Sequence, residues 1–225
     1  MIETTEGTPT RAGAMEAFIV RPERGAPAPA VPMLMDAPGF REELRDMACV
    51  SRRPASACRC RNPCCRAGRG TLLGPGAMIE GDPERARMRA TRTRMTIPPV
   101  MEDVADRIAF LGRVGIAAQG RIVAAASFCG TWLVSDAEEN PHLTFARGRA
   151  GLHIGCAEHD DLAPLPMVGE LRRHFEAAGS PGEIGIHPGA HHGFAFPSRW
   201  CLDKPAVERH RERLAALYRR RLSAA

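Results

Sequence analysis

Two short stretches in the C-terminal half concentrate side chains that can move protons. Gly155-Cys156-Ala157-Glu158-His159-Asp160-Asp161-Leu162-Ala163-Pro164 follows one apolar run, and Pro188-Gly189-Ala190-His191-His192-Gly193-Phe194 follows the next. A carboxylate on one turn and an imidazole on its neighbour make an acid–base pair. The carboxylate fixes the ring tautomer and stabilises the imidazolium once the ring has taken a proton. Taken singly, an Asp-Asp after a strand is a helix cap or a turn, and a His-His-Gly turn is a polar loop or half a metal site. Together, in this order, they favour the catalytic reading.

The eight cysteines hold the second reservoir of chemistry. Five of them (Cys49, Cys58, Cys60, Cys64, Cys65) crowd the N-terminal half, while Cys129, Cys156 and Cys201 are scattered. The Cys58-x-Cys60-x3-Cys64-Cys65 spacing departs from the paired C-x2-C patterns of zinc sites, and the arginines around it disfavour a cation. No metal is expected there. The net charge of +5 comes largely from Arg52–Arg94 and from Arg219-Arg220-Arg221, without interleaved aromatics, so a solvated surface is read rather than a nucleic-acid face. No apolar run approaches the ~18 residues that span a bilayer. Met1–Glu6 has neither a basic nor an apolar leader region, so a cytoplasmic protein without membrane or nucleic-acid partners is expected.

The elements that must position these turns can be read from the patterning. A polar strand opens the chain, with a turn near Thr8-Pro9 and a second strand at Met15–Val20. Ala30–Met35 reads as a buried parallel strand flawed by Pro32, and Glu42–Ala48 as a short helix with Leu44, Met47 and Ala48 on one face. Residues 51–71 hold six arginines and four cysteines and no large apolar residue, so no core strand is expected in them. Residues 80–95 are basic and helical or irregular. A helix is expected at Pro99–Leu111, then strands at Arg121–Phe128 and Leu152–Cys156. A helix at Met167–Ala178 turns Val168, Leu171 and Phe175 inward and stops at Gly179. A strand at Glu183–His187 follows. The last helix starts with Asp203 as cap and Pro205 in its first turn, burying Val207, Leu214, Leu217 and Tyr218. Strands alternating with helices predict an α/β fold with a mostly parallel sheet flanked by helices. In such sheets ligands bind beyond the carboxyl ends of the strands.

The two chemical turns resemble the acid and histidine blocks of the dienelactone hydrolase family of α/β-hydrolases, whose triad order places acid before histidine. The stretch Gly189–Pro197 carries the most distinctive match. Asp203–His210 running into Leu214–Leu222 is similar to the family's terminal helix, and Leu34–Gly39 with Arg41–Ala48 to its first core strand and helix. The likeness covers residues 13–48 and 75–225, within a single domain over 1–225 whose residues 49–74 form an irregular Cys/Arg-rich segment. It implies an α/β-hydrolase that opens a lactone or ester of the carboxymethylenebutenolidase type through a Cys-His-Asp triad, as a monomer and without metal or organic cofactor. By motif position Asp160 would be the triad acid and His192 the base. Asp36 falls where the family has an acidic residue beside the nucleophile, and the Ala37 backbone N–H where an oxyanion donor is expected.

The sequence departs from the family in two places. No Gly-x-[Cys/Ser]-x-Gly elbow exists. Gly112–Ile116 resembles the strand entering it and Gly120–Phe128 the strand one helix later, with only Ala117-Ala118-Gln119 between. About 20 residues of elbow and helix, on βα unit lengths, are missing. Cys156 has no elbow around it, Cys129 is expected to face the core, and Cys201 to lie on a surface-like turn, so the nucleophile is not identified. Residues 51–71 resemble a family helix end and an Asn-Leu-Tyr-Tyr-Arg-Ala-Gly segment with apolar and tyrosine positions lost, so one core strand and a complete fold are not expected. Three readings follow. The first is a hydrolase that uses Asp160 and His192 with a substitute nucleophile or activated water. The second is a catalytically inactive remnant (a pseudoenzyme) or binding module of the family. The third is a Cys/Arg-rich zinc or nucleic-acid module in 49–94 on an inert α/β half.

Overall fold

The computed structural model describes residues 2–10, 13–21, 23, 30–34, 36, 39, 41–51, 57–61, 73–93, 102, 122–136 and 140–222. They fall into two compact units divided after Arg121.

In the first unit β1 (Ile2–Thr10) pairs antiparallel with β2 (Gly13–Arg21), in register from Ile2↔Arg21 to Thr10↔Gly13. The turn expected at Thr8-Pro9 therefore lies later. Thr8 and Pro9 are still strand, opposite Met15 and Ala14. Pro9 is tolerated because β1 is the edge of the described sheet, where a missing N–H costs no ladder bond. Ala17, Phe18, Ile19 and Val20 are all buried, as in a strand covered on both faces. β3 (Ala30–Leu34) is the other edge of the order β1-β2-β4-β3, which explains why Pro32 fits in it.

The strand β4 (Ala57–Arg61) overturns one expectation. The composition of the Cys/Arg-rich segment predicts an irregular stretch with no core strand, yet β4 sits inside the sheet, antiparallel to β2 and parallel to β3. A ladder is made of backbone groups, so two flanking strands can recruit a segment whose side chains would not suggest it. Helix α1 (Glu42–Ser51) has Glu42 and Glu43 in its first turn, the favourable end of the dipole for acids. It buries Leu44 and Ala48, while Met47 is half-buried. Within the basic stretch α2 (Pro83–Thr93) starts where Asp82 Oδ1 accepts the Glu84 N–H at 2.8 Å. The helix expected at Pro99–Leu111, apart from Glu102, and the stretch Gly112–Gly120, where no elbow is expected, lie outside the described residues.

The second unit carries three parallel strands in the order β5 (Ala124–Phe128), β6 (Gly151–His159), β7 (Gly182–His191). Side chains alternate between the two faces. On one face Ile154, Cys156 and Ile184 pack with Val168, Leu171 and Phe175 of α3 (Leu165–Ala177) and with Leu133 and Phe145. Gly179, at φ +61°, ends α3 as the sequence predicts. The other face receives α4 (Lys204–Leu222), which packs on all three strands. Asp203 caps α4 by accepting the Ala206 N–H at 2.9 Å, and Val207, Leu214 and Leu217 are buried as expected, with Tyr218 half-buried. Among the described residues no helix is long and apolar enough to cross a membrane.

The α4 face of the sheet is unusual in composition. His153 on β6, His187 on β7 and His210 on α4 are all buried there, with His210 at 0% exposure. His153 Nε2 lies 3.3 Å from His210 Nδ1, and the Phe128 ring stacks on His210. Gly155 makes this possible: a Cβ at that position would come within 2.3 Å of His210 Nδ1.

Candidate active site

The three parallel strands of the second unit end side by side, and each delivers one functional group at its carboxyl end. Cys129 follows β5, Asp160 follows β6 and His192 follows β7. The family-like acid and base are brought together as the sequence predicts: His192 Nδ1 lies 2.8 Å from Asp160 Oδ2. The Asp160 side chain is fully buried, and the imidazole is 29% exposed. The carboxylate is held from its other side, where Oδ1 accepts the N–H groups of Leu162 at 2.9 Å and Ala163 at 3.2 Å. With both of its oxygens engaged, the carboxylate has one orientation. The His192 loop is fixed in turn by its backbone N–H, which donates to the His159 carbonyl at 3.2 Å. The Gly189 N–H also donates to Glu158 Oε2 at 2.7 Å. The neighbouring Glu158 and Asp161 thus take no part in the pair, and Glu158 instead ties the two turns together.

Cys129 is the group that sequence reasoning expected to face the core. It is indeed buried, yet its sulfur, an Asp160 oxygen and a His192 nitrogen all lie within 4.8 Å of one another. The backbone N–H groups of Gly193 and Phe194 hydrogen-bond its sulfur. Its φ of +47° places it in the left-handed region, rare for a residue with a side chain. That conformation, invisible in sequence, turns the chain after β5 so that Cys129 lies beside the pair. Burial is the main reason its thiol is pushed up to about 11, and the Asp160 charge adds to it. Cys156 is likewise pushed up to about 11, again chiefly by burial. Neither is therefore poised as a thiolate nucleophile. Cys201, expected on a surface turn, is buried and donates its thiol to the His192 carbonyl at 3.2 Å. It packs inward because it closes the loop that carries His192.

Asp36 belongs to the first unit, where Arg41 holds it through both oxygens at 2.5 and 3.1 Å. Ala37 lies outside the described residues, as do the side chains of Cys58, Cys60, Cys64 and Cys65. Beyond the pair, the rings of His159 and His191 lie 4.8 Å apart, and those of His191 and Trp200 lie 5.0 Å apart. A shallow cleft of about 520 Å³ is lined by Gly189, His191, Trp200, Cys201 and Lys204, among others.

Known proteins with this architecture point the same way. The dienelactone hydrolase family matches residues 109–222 of the chain. A solved structure from Klebsiella pneumoniae subsp. pneumoniae that carries the name dienelactone hydrolase superposes with a TM-score of 0.80 at 19% identity, covering 97% of this chain and 98% of that one. The apo form of Thermogutta terrifontis esterase 2 gives 0.69 at 12% identity, with 97% and 94% covered. A cold-adapted esterase from an Arctic intertidal metagenomic library, bound to PEG, gives 0.62 at 15% identity, with 94% and 93% covered. Nothing among curated proteins matches the chain. An acid and a histidine at the ends of adjacent parallel strands, on an α/β-hydrolase architecture and inside the matched residues, lead to one conclusion: the chain belongs to the dienelactone hydrolase family.

Proposed function

We propose that this protein hydrolyses a carboxylic ester, a lactone of the carboxymethylenebutenolidase type among them, with Asp160 and His192 as its acid–base pair. The observation that carries the reading is the 2.8 Å contact between His192 Nδ1 and a buried carboxylate fixed by two backbone amides. With Nδ1–H donated to Asp160, Nε2 is left to take a proton. In this reading a water molecule gives its proton to Nε2 while its oxygen bonds the ester carbonyl carbon. The resulting imidazolium is stabilised by Asp160. The tetrahedral species collapses as the C–O bond to the leaving group breaks, and His192 returns the proton to that oxygen. Water takes the attacking role here because the Cys129 thiol beside the pair and the Cys156 thiol in the core are held protonated. To Asp36 and Ala37 the reading assigns substrate contact, supported by their place in the family-like Leu34–Gly39 motif. It treats residues 1–225 as one domain, supported by structural likeness running over 97% of the chain.

The raised thiols also favour a second reading, a family member that binds its ligand without turning it over. Hydrolysis of lactones and activated esters by the purified protein separates the two. Under the first reading His192→Ala falls to the background rate, and Asp160→Asn loses roughly 10⁴-fold in kcat, the scale of a wrong-tautomer histidine. Equal slow rates in all three folded proteins would leave only the second.

A further inference from the structure

The same three strand ends carry an inference that does not depend on turnover. We propose that Cys129, Asp160 and His192 form a three-ligand site for a borderline-soft divalent transition-metal ion of the zinc class. Their sulfur, oxygen and nitrogen donors lie within 4.8 Å of one another. Bonds of about 2.0–2.3 Å in a tetrahedral site separate ligand atoms by about 3.3–3.8 Å. To meet that geometry the 2.8 Å between His192 Nδ1 and Asp160 Oδ2 opens by about half an ångström, and donor separations of up to 4.8 Å close by up to about 1 Å.

The donor set and its surroundings fit such an ion. Thiolate, imidazole and carboxylate are the zinc donors, and three protein ligands with one partly open side are the arrangement that leaves a fourth position for water. The open side here is that of His192, whose side chain is 29% exposed. Each donor is oriented from behind, as ligands of metal sites are. The Leu162 and Ala163 amides hold Asp160, the Gly193 and Phe194 amides hold the Cys129 sulfur, and the His192 backbone is tied to His159. The ion's two charges would be cancelled by the carboxylate and the thiolate. The guanidinium of Arg199 lies over the Phe196 ring at 4.6 Å, and its positive charge favours the thiolate form of Cys129 that the ion needs. The left-handed backbone of Cys129 belongs to the same arrangement, since strain of this kind is retained where the surroundings over-determine it.

Binding is balanced as an exchange. The Cys129 S–H proton leaves to solvent as the S–metal bond forms. The imidazole loses its Nδ1 proton and gains one at Nε2, so one proton is released per ion. The N–H that ties His192 to Asp160 is then gone, and ion and acid–base pair exclude each other.

The test uses the full-length protein, freed of metal by a chelator and titrated with Co²⁺. The expected result is one ion per chain with a near-ultraviolet thiolate-to-cobalt charge-transfer band, bleached by Zn²⁺. Cys129→Ser loses the band. His192→Ala, at a half-exposed position, keeps it but binds at least ~10-fold more weakly. Far-ultraviolet circular dichroism confirms that each variant is folded. The proposal is overturned if no Co²⁺ binds at micromolar concentration, or if it binds without the thiolate band. It is equally overturned if the band survives Cys129→Ser and is lost on replacing Cys58, Cys60, Cys64 and Cys65. Hydrolysis measured in chelator reports on the His192 pair alone, so the two proposals fail separately.

Discussion

Asp160 meets the demands on a buried charge with three hydrogen bonds and gives no contact to water. The arrangement is informative because each partner is different: two amides fix the plane of the carboxylate and one imidazole uses it. Cys129, a few ångströms away, shows the opposite outcome, since burial and the same carboxylate keep its thiol protonated. At pH 7 a thiol at about 11 is thiolate only about 10⁻⁴ of the time, against a few per cent for an unperturbed one. Alkylation of Cys129 and Cys156 in the native protein is therefore expected to be roughly 10²-fold slower than in the unfolded chain. Peptide mapping after iodoacetamide checks this, and preferential labelling of Cys129 would contradict it. At this scale the pairing of Asp160 with His192 was legible because their motifs carry fixed offsets, Asp160 before Pro164 and His192 before Phe194. Cys129 was not, because its position depends on one backbone dihedral that no residue pattern announces. The inward packing of Cys201 was missed for the same reason, since it is set by the course of a loop.

At the scale of elements, close approach is what builds the second unit. α4 sits on a strand that offers glycine where it comes nearest, so the His210 ring occupies the space of an absent side chain. Gly155→Ala puts a methyl group 2.3 Å from that ring, and the ring is enclosed and cannot swing away. Overpacking of this kind costs about 1–3 kcal/mol, and a lowered denaturation midpoint with unchanged slope is the expected observation. The helices α3 and α4 were legible in advance from their apolar spacing and their stop and cap residues, Gly179 and Asp203. The strand β4 was not. Its cysteines and arginines say nothing of pairing, and what places it is the pair of strands either side, Ala17–Val20 and Ala30–Leu34. Thr8 and Pro9 pattern as a turn because proline signals one wherever the partner strand is unknown, and pairing with Met15 and Ala14 makes them strand.

For the molecule as a whole, the three buried imidazoles set how stability responds to acid. Burial lowers the affinity of His153, His187 and His210 for protons, His210 to about 2. Glu183 works against this at His153, while Arg209, Arg213 and Asp203 supply the remaining charges around the cluster. Below about pH 6.5 the unfolded chain protonates these rings, while the folded one takes up those protons only at lower pH. The unfolded state then binds more protons, and stability is lost as the pH falls. Each ring contributes up to ~1.4 kcal/mol per pH unit. A melting temperature that drops steeply between pH 7 and 5, and less steeply in His210→Leu, is expected from thermal scans; a flat profile would contradict it. Those scans call for circular dichroism, because of where the indoles lie. The two tryptophans, Trp132 and Trp200, are 50% and 85% exposed in the native state, so their emission already resembles that of solvated indole and will shift little on unfolding. Trp132 donates its backbone N–H to Leu162 in the Asp160 turn, and Trp200 stacks on His191 next to His192. Fluorescence in this protein is thus a poor gauge of folding and a built-in optical probe of the surroundings of the Asp160 and His192 turns.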